Sequence, residues 1–104
     1  MKPYKVTIGT AALFDIKDAT DWYNKRLPGL GLRFQKAVRQ QIDTLKTNAD
    51  GYSIRYQDVH CMPVRKFPFL IHFTIDSANR AVEIFAVKHT SRNPEICEQE
   101  NRDY

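Results

Sequence analysis

Between Phe69 and His89 the chain reads FLIHFTIDSANRAVEIFAVKH, and no other stretch restricts the possible folds as tightly. Phe69, Ile71, Phe73 and Ile75 alternate with Leu70, His72, Thr74 and Asp76, the period-two spacing of a half-buried strand. The run Asp76, Ser77, Ala78, Asn79, Arg80 is polar and turn-prone. AVEIFAVKH behind it is rich in β-branched and aromatic residues, so the two runs predict an antiparallel hairpin with His89 at its end.

The rest of the chain supplies elements to pack around that hairpin. Tyr4, Val6 and Ile8 alternate with Lys5 and Thr7, which predicts a short first strand broken by Gly9 and Thr10. Leu13, Ile16, Thr20, Tyr23 and Leu27 then recur at spacings of three and four, one stripe of a helix with Thr10 as its N-cap. Pro28 and Gly29 end it. Leu30, Phe34, Val38, Ile42 and Leu45 form the stripe of a second helix, with Arg33, Lys36, Arg39 and Lys46 largely elsewhere. Asp50 and Gly51 mark a turn, and SIRYQ and CMPVRKF add further extended pieces. Pro63 and Pro68 cannot donate ladder hydrogen bonds, so at least one marks an edge, a strand start or a bulge. The expected fold class is α+β, β-α-α-β-β-β, with a helical hairpin on one face of a mostly antiparallel sheet.

Composition narrows the setting. A chain of 104 residues, 42% hydrophobic and 27% charged, is one ordinary globular domain rather than a disordered segment. No apolar run approaches the ~20 residues of a membrane span, and MKPYKVTIGT lacks the apolar core of a signal peptide, so a cytoplasmic location is expected. Cys61 and Cys97 make neither a CxxC pair nor a zinc pattern, and reduced thiols fit that compartment. Charge is divided. Residues 1–92 hold fifteen cations and eight anions, a net +7, whereas the tail holds Glu95, Glu98, Glu100 and Asp103 against Arg102, a net −3. A body of that charge attracts a polyanion or an acidic protein, although Lys and Arg on helix faces are usually just solvated. The tail, 95–104, is expected to be poorly ordered or to dock over part of the basic face.

The order and spacing of Val64, Arg65, Phe67, Pro68, Phe69, Ile71 and Phe73, then Val82, Ile84, Val87, His89, Arg92 and Pro94, resemble the RelE/ParE superfamily of toxins from type II toxin–antitoxin (plasmid stabilisation) systems. The resemblance spans residues 4–94 and makes 1–94 one toxin domain. It implies an acidic antitoxin partner and no cofactor. RelE-like toxins are metal-independent ribonucleases that cut mRNA, commonly on the ribosome, whereas ParE-like toxins inhibit DNA gyrase. The shared fold cannot choose between them.

Cleavage by a ribose 2′-hydroxyl needs a base, cations for the phosphate and an acid for the leaving oxygen. The resemblance implies Arg65 as a phosphate-binding arginine on the middle strand and His89 as a catalytic histidine, with Arg55, Lys66, Lys88 and Arg92 as further phosphate contacts. Arg65 could equally pair with an acid, and His89 could simply hold the strand end. His60, Cys61 and His72 show no metal-ligand spacing, and His72 is expected on an exposed face. Arg65, Lys66 and His89 would supply two of the three needs, so mRNA cleavage of the RelE-like kind is the expected function and gyrase inhibition of the ParE-like kind the alternative. The chain also departs from RelE-like toxins. Residues 50–62 offer only Arg55 and His60 as basic candidates, the general base is unassigned, and Tyr104 is the only tyrosine after the last strand. A third reading is a basic nucleic-acid-binding module, with Phe67, Phe69, Phe73 and Phe85 stacking on bases if they are exposed.

Overall fold

The hairpin read from the sequence is the middle of a five-stranded sheet in a computed structural model that describes residues 3–52 and 54–90. In chain order the elements are β1 (Lys5–Ile8), α1 (Thr10–Arg26), α2 (Leu30–Asn48), a 3-10 turn (Ala49–Gly51), β2 (Ile54–Tyr56), β3 (Val59–Pro63), β4 (Phe69–Asp76) and β5 (Ala81–His89). The strands lie in the order β1-β5-β4-β3-β2, with β1 parallel to β5 and every other pair antiparallel. Both helices cover one face, as their apolar stripes predict. The short β2 falls in SIRYQ, one of the extended pieces expected after the helices, and forms an edge of the sheet.

Helix α2 buries Phe34, Val38 and Leu45, with Leu30 and Ile42 packed beside them, so its predicted stripe holds. Helix α1 departs from its own. Its middle holds, since Thr20 and Tyr23 are buried and Ile16 packs on the core, but Leu13 and Leu27 at its ends are 52% and 54% exposed, and Ala12 and Ala19 are buried in their place. Small side chains let the helices approach closely, and Gly31 shows how closely. A Cβ there would lie 2.5 Å from the Thr20 carbonyl oxygen and 2.6 Å from the Asn24 side chain. Its N–H donates to Asn24 Oδ1 at 2.8 Å, so α1 supplies an acceptor for the first turn of α2. Gly29 makes the turn with φ of 92°.

Thr10 is not the cap of α1. Gly9 holds that position, since its N–H still donates to the Ile84 carbonyl at the end of β1 while its own carbonyl accepts from Leu13. The two prolines fall as expected, Pro63 closing β3 and Pro68 standing just before β4. In the β4–β5 turn the Asp76 carboxylate accepts from both the side chain and backbone of Asn79, which hold its pKa below the usual value.

Strand β4 is buried on both faces from Phe69 to Phe73, not half-buried. Phe69, Ile71 and Phe73 face the helices, which removes the base-stacking role that exposure of Phe69 and Phe73 would have supported. His72 lies on the opposite face as its spacing predicts, but its exposure is 0%, contrary to expectation. Its Nδ1 is 3.3 Å from the Cys61 sulfur. Opposite it, β5 carries one extra residue, Phe85, because Phe73 pairs with Ile84 and His72 with Ala86.

Burial, then the nearby Lys88 charge, lower the His72 pKa from 6.5 to about 4, with Asp15 opposing. The unfolded chain therefore takes up this proton at higher pH than the folded one. His72 leaves stability unchanged above about pH 6.5 and lowers it as pH falls toward 4, by on the order of 3 kcal/mol at the end of that window. Urea denaturation of the wild type and His72→Gln across pH 7 to 4 should show a steeper loss in the wild type. Parallel pH profiles would contradict it.

Candidate functional site at the end of the sheet

Two aromatic side chains build the corner where the site lies. Phe67, in the β3–β4 turn, packs edge-on against both Tyr23 of α1 and Phe34 of α2, with centroids 5.1 and 5.3 Å away. Phe69 lies 5.0 Å from Phe34 and 5.1 Å from the His89 ring, which meets it edge-on. Val64 is also buried, so the turn is anchored through Val64 and Phe67, and Arg65 and Lys66 between them are exposed. Lys66 has φ of 69°, a turn conformation. Arg65 therefore stands in a turn rather than on a middle strand, because β3 closes at Pro63 and pairing resumes only at Phe69.

The Thr90 N–H donates to the Pro68 carbonyl at 2.9 Å, which places the end of β5 beside that turn. Arg65, Lys66 and His89 thus share one end of the sheet. They do not share a cavity. His89 and Lys88 line an open groove of about 470 Å³ between α1 and the end of the hairpin, together with Asp15, Asp18, Asp21, Trp22 and Lys25. Arg65 and Lys66 are not among its lining residues. Arg55 lies in β2, at the far edge of the sheet, with its side chain outside the described residues. Arg92, Cys97 and the tail 95–104 also lie outside them.

Asp15 organises the groove. Its carboxylate accepts from the Val87 N–H and from Lys88 Nζ, both at 3.0 Å, in a partly buried setting. Lys88, read from the sequence as a phosphate contact, is thereby matched by a carboxylate. The Arg26 guanidinium stacks over Trp22, 4.4 Å from the ring centroid. Sequence reasoning missed the helical wall altogether. Asp15, Asp18, Trp22 and Lys25 follow spacings of three and four on one face of α1, a pattern open to view but masked by the search for an apolar stripe. His60 is a structural residue: its Nδ1–H donates to the Tyr52 carbonyl at 2.6 Å and its ring stacks on Phe73. Among the described residues no group of three or more His, Cys, Asp or Glu is placed to hold a metal ion, and no helix is long and apolar enough to cross a membrane.

The family model for the ParE toxin of the type II toxin–antitoxin system parDE matches residues 6–94. The chain belongs to the ParE toxin family. Among solved structures, this ParE-family chain is similar to one from the chromosomal ParDE toxin–antitoxin system of P. aeruginosa, with a TM-score of 0.72 and 17% identity over 83% of this chain and 95% of that one. It is also similar to a chain of the toxin–antitoxin complex RelBE2 from Mycobacterium tuberculosis, with a TM-score of 0.61 and 21% identity over 84% and 98%. At those identities the likeness is one of fold. No curated protein sequence matches the chain significantly.

Removing the Asp15 carboxylate leaves the Val87 N–H and the Lys88 ammonium without their acceptor. Asp15→Ala should destabilise the fold by about 2 kcal/mol, which for a domain of this size lowers Tm by roughly 8–16 °C. Asp15→Asn, able to accept from Val87 but not to balance Lys88, should lose less. Thermal unfolding followed by circular dichroism distinguishes the two, and equal losses would refute the division.

Proposed function

We propose that this chain is the toxin of a type II toxin–antitoxin module that acts by binding a protein target, DNA gyrase, rather than by cutting mRNA. The observation that carries this reading is the make-up of the groove at His89. Once Asp15 and Lys88 balance each other, Asp18 and Asp21 face Lys25 alone. An RNA phosphate brought to His89 would meet a carboxylate-lined wall, and the attraction of the net +7 body is exerted elsewhere. The cation expected to stabilise that phosphate, Arg65, stands on the turn outside the groove. Catalysis by positioned charge requires both groups at one reacting centre. A surface of exposed cations at the turn and aromatic and acidic groups on α1 suits recognition of a folded protein. Membership of the ParE family supports the same choice.

The partner that restrains the toxin is proposed to be an acidic antitoxin encoded alongside. An apolar groove between β1, α1 and α2 offers it a seat, lined by Ile8, Leu13, Ile16, Val38 and Ile42, with Arg39 beside them. An amphipathic helix with an acidic flank fits such a groove.

Purified toxin should inhibit supercoiling by gyrase and leave message intact on translating ribosomes, with His89→Gln retaining inhibition within about threefold. Message cleavage that falls by roughly 10²–10³ in Arg65→Ala would replace this reading with ribonuclease activity. For the antitoxin, Leu13→Asp should weaken co-purification of the co-expressed partner by about tenfold or more while leaving the fold intact. Unchanged co-purification would move the binding site elsewhere.

A further inference from the structure

The positive charge of the body is not spread evenly, and one cluster of it lies outside both grooves. Arg33, Ala37, Gln41 and Thr44 recur at helical spacing and form one stripe of α2. That stripe faces β3 and the turn after it. Thr44 Oγ1 lies 3.8 Å from the Met62 sulfur, Gln41 Nε2 donates to the Pro63 carbonyl at 2.7 Å, and Phe67 meets Phe34. From Met62 to Phe67 the chain therefore runs along α2 toward its first turn, which sets Arg65 and Lys66 level with the segment between Gln41 and Phe34. Arg33 continues the stripe at that end, and Lys36 stands one turn on, further toward solvent. All four cations are exposed. Phe34 and Gln41 are roughly 10 Å apart along the helix, so Arg33, Lys36, Arg65 and Lys66 fall within a patch about 15 Å across. Carboxylates that could neutralise it are engaged or distant. Asp43 holds Lys46 and Asp15 holds Lys88, while Asp58, Asp76 and Glu83 belong to the opposite end of the sheet.

We propose that this patch binds the phosphate backbone of double-stranded DNA without regard to sequence. A duplex presents a phosphate every 3.4 Å or so of axis on each strand, so a patch about 15 Å across meets roughly four of them. Arg33 and Arg65 can each hold a phosphate through paired N–H groups, and the turn that carries Arg65 is anchored by Val64 and Phe67 in the core. Two competing ligands fit less well. A single strand needs exposed rings to stack on, but the aromatic side chains of this corner, Tyr23, Phe34, Phe67 and Phe69, pack against one another. An acidic protein needs an apolar anchor within the patch, and the apolar side chains of the turn, Val64 and Phe67, are drawn into the core. On the reading above, the target is an enzyme that holds duplex DNA, so the patch meets that DNA while the α1 wall meets the protein. DNA binding is nevertheless a property of the chain alone and is tested without the target, so a failure to inhibit gyrase leaves it standing.

Fluorescence anisotropy of the full-length chain with labelled DNA duplexes of about 20 base pairs measures the binding. Duplexes of unrelated sequence should bind equally within about twofold, and affinity should fall on the order of 150-fold between roughly 50 and 200 mM salt, the effect of four neutralised phosphates. Arg33→Gln with Lys36→Gln, and separately Arg65→Gln with Lys66→Gln, should each weaken binding at least about tenfold at the lower salt and reduce the salt effect to roughly twelvefold. Circular dichroism checks folding, and if one pair fails to fold the other still decides. Lys5→Gln with Lys17→Gln removes the same charge from exposed positions on β1 and α1 and should change affinity less than about threefold. Equal losses in all three pairs would reduce the effect to net charge and overturn the proposal. So would absence of binding at the lower salt, a single strand or an RNA duplex bound more tightly than duplex DNA, or poly-glutamate competing as well as unlabelled DNA.

Discussion

Beyond Ile84 strand β5 loses its parallel neighbour, and the Val87 N–H finds its acceptor on a helix instead of a strand. A backbone donor left unpaired in a partly buried site costs ~1–3 kcal/mol, so this edge cannot stay open without a substitute. Asp15 is that substitute, and one carboxylate does two things at once. It completes the hydrogen bonding of β5 and draws the Lys88 ammonium across the strand edge. The path of α1 over the sheet, the width of the groove and the charge left to meet a ligand all follow from where that carboxylate sits.

The corner depends as much on aromatic packing. Tyr23, Phe34, Phe67 and Phe69 bring together both helices, a turn and the central strand, with centroids between 5.0 and 6.1 Å apart. Phe67 is the unusual member, since it enters from a turn. Its insertion, together with burial of Val64, makes Arg65 and Lys66 a rigidly presented pair. Exposed cations on an anchored turn lose less conformational entropy on binding than the same cations on a loose one.

Much of the architecture was legible in the sequence because periodicity records which face is buried. The α2 stripe, the β4–β5 hairpin and the layering of helices on one face all follow from it. Failures arose where size or distance mattered more than polarity. Ala12 and Ala19 carry the α1 contact, yet a stripe of leucines looked stronger than a stripe of alanines. Gly9 displaced Thr10 as the cap because a strand hydrogen bond fixed its position first. Double-sided burial of β4 does not show in an alternating pattern that includes a histidine. For Arg65 the signal was present, since Pro63 and Pro68 bracket a turn. The groove itself was hidden because it joins Asp15 to residues more than seventy positions away.

Phe85 has the last influence on what the site contains. Counting in twos from Val82 and Ile84 along an unbroken strand would turn Ala86 and Lys88 toward the helices. The extra residue reverses that parity, so Val87 joins the helix-side core and His89 reaches the Phe69 ring. Loss of a single residue from the middle of this strand would leave every later side chain in place in the alignment and on the wrong side of the protein. Relatives of this chain are therefore better compared by their distance from the bulge than by their distance from the end of the strand. The chemistry offered at the groove is set by an odd or even count.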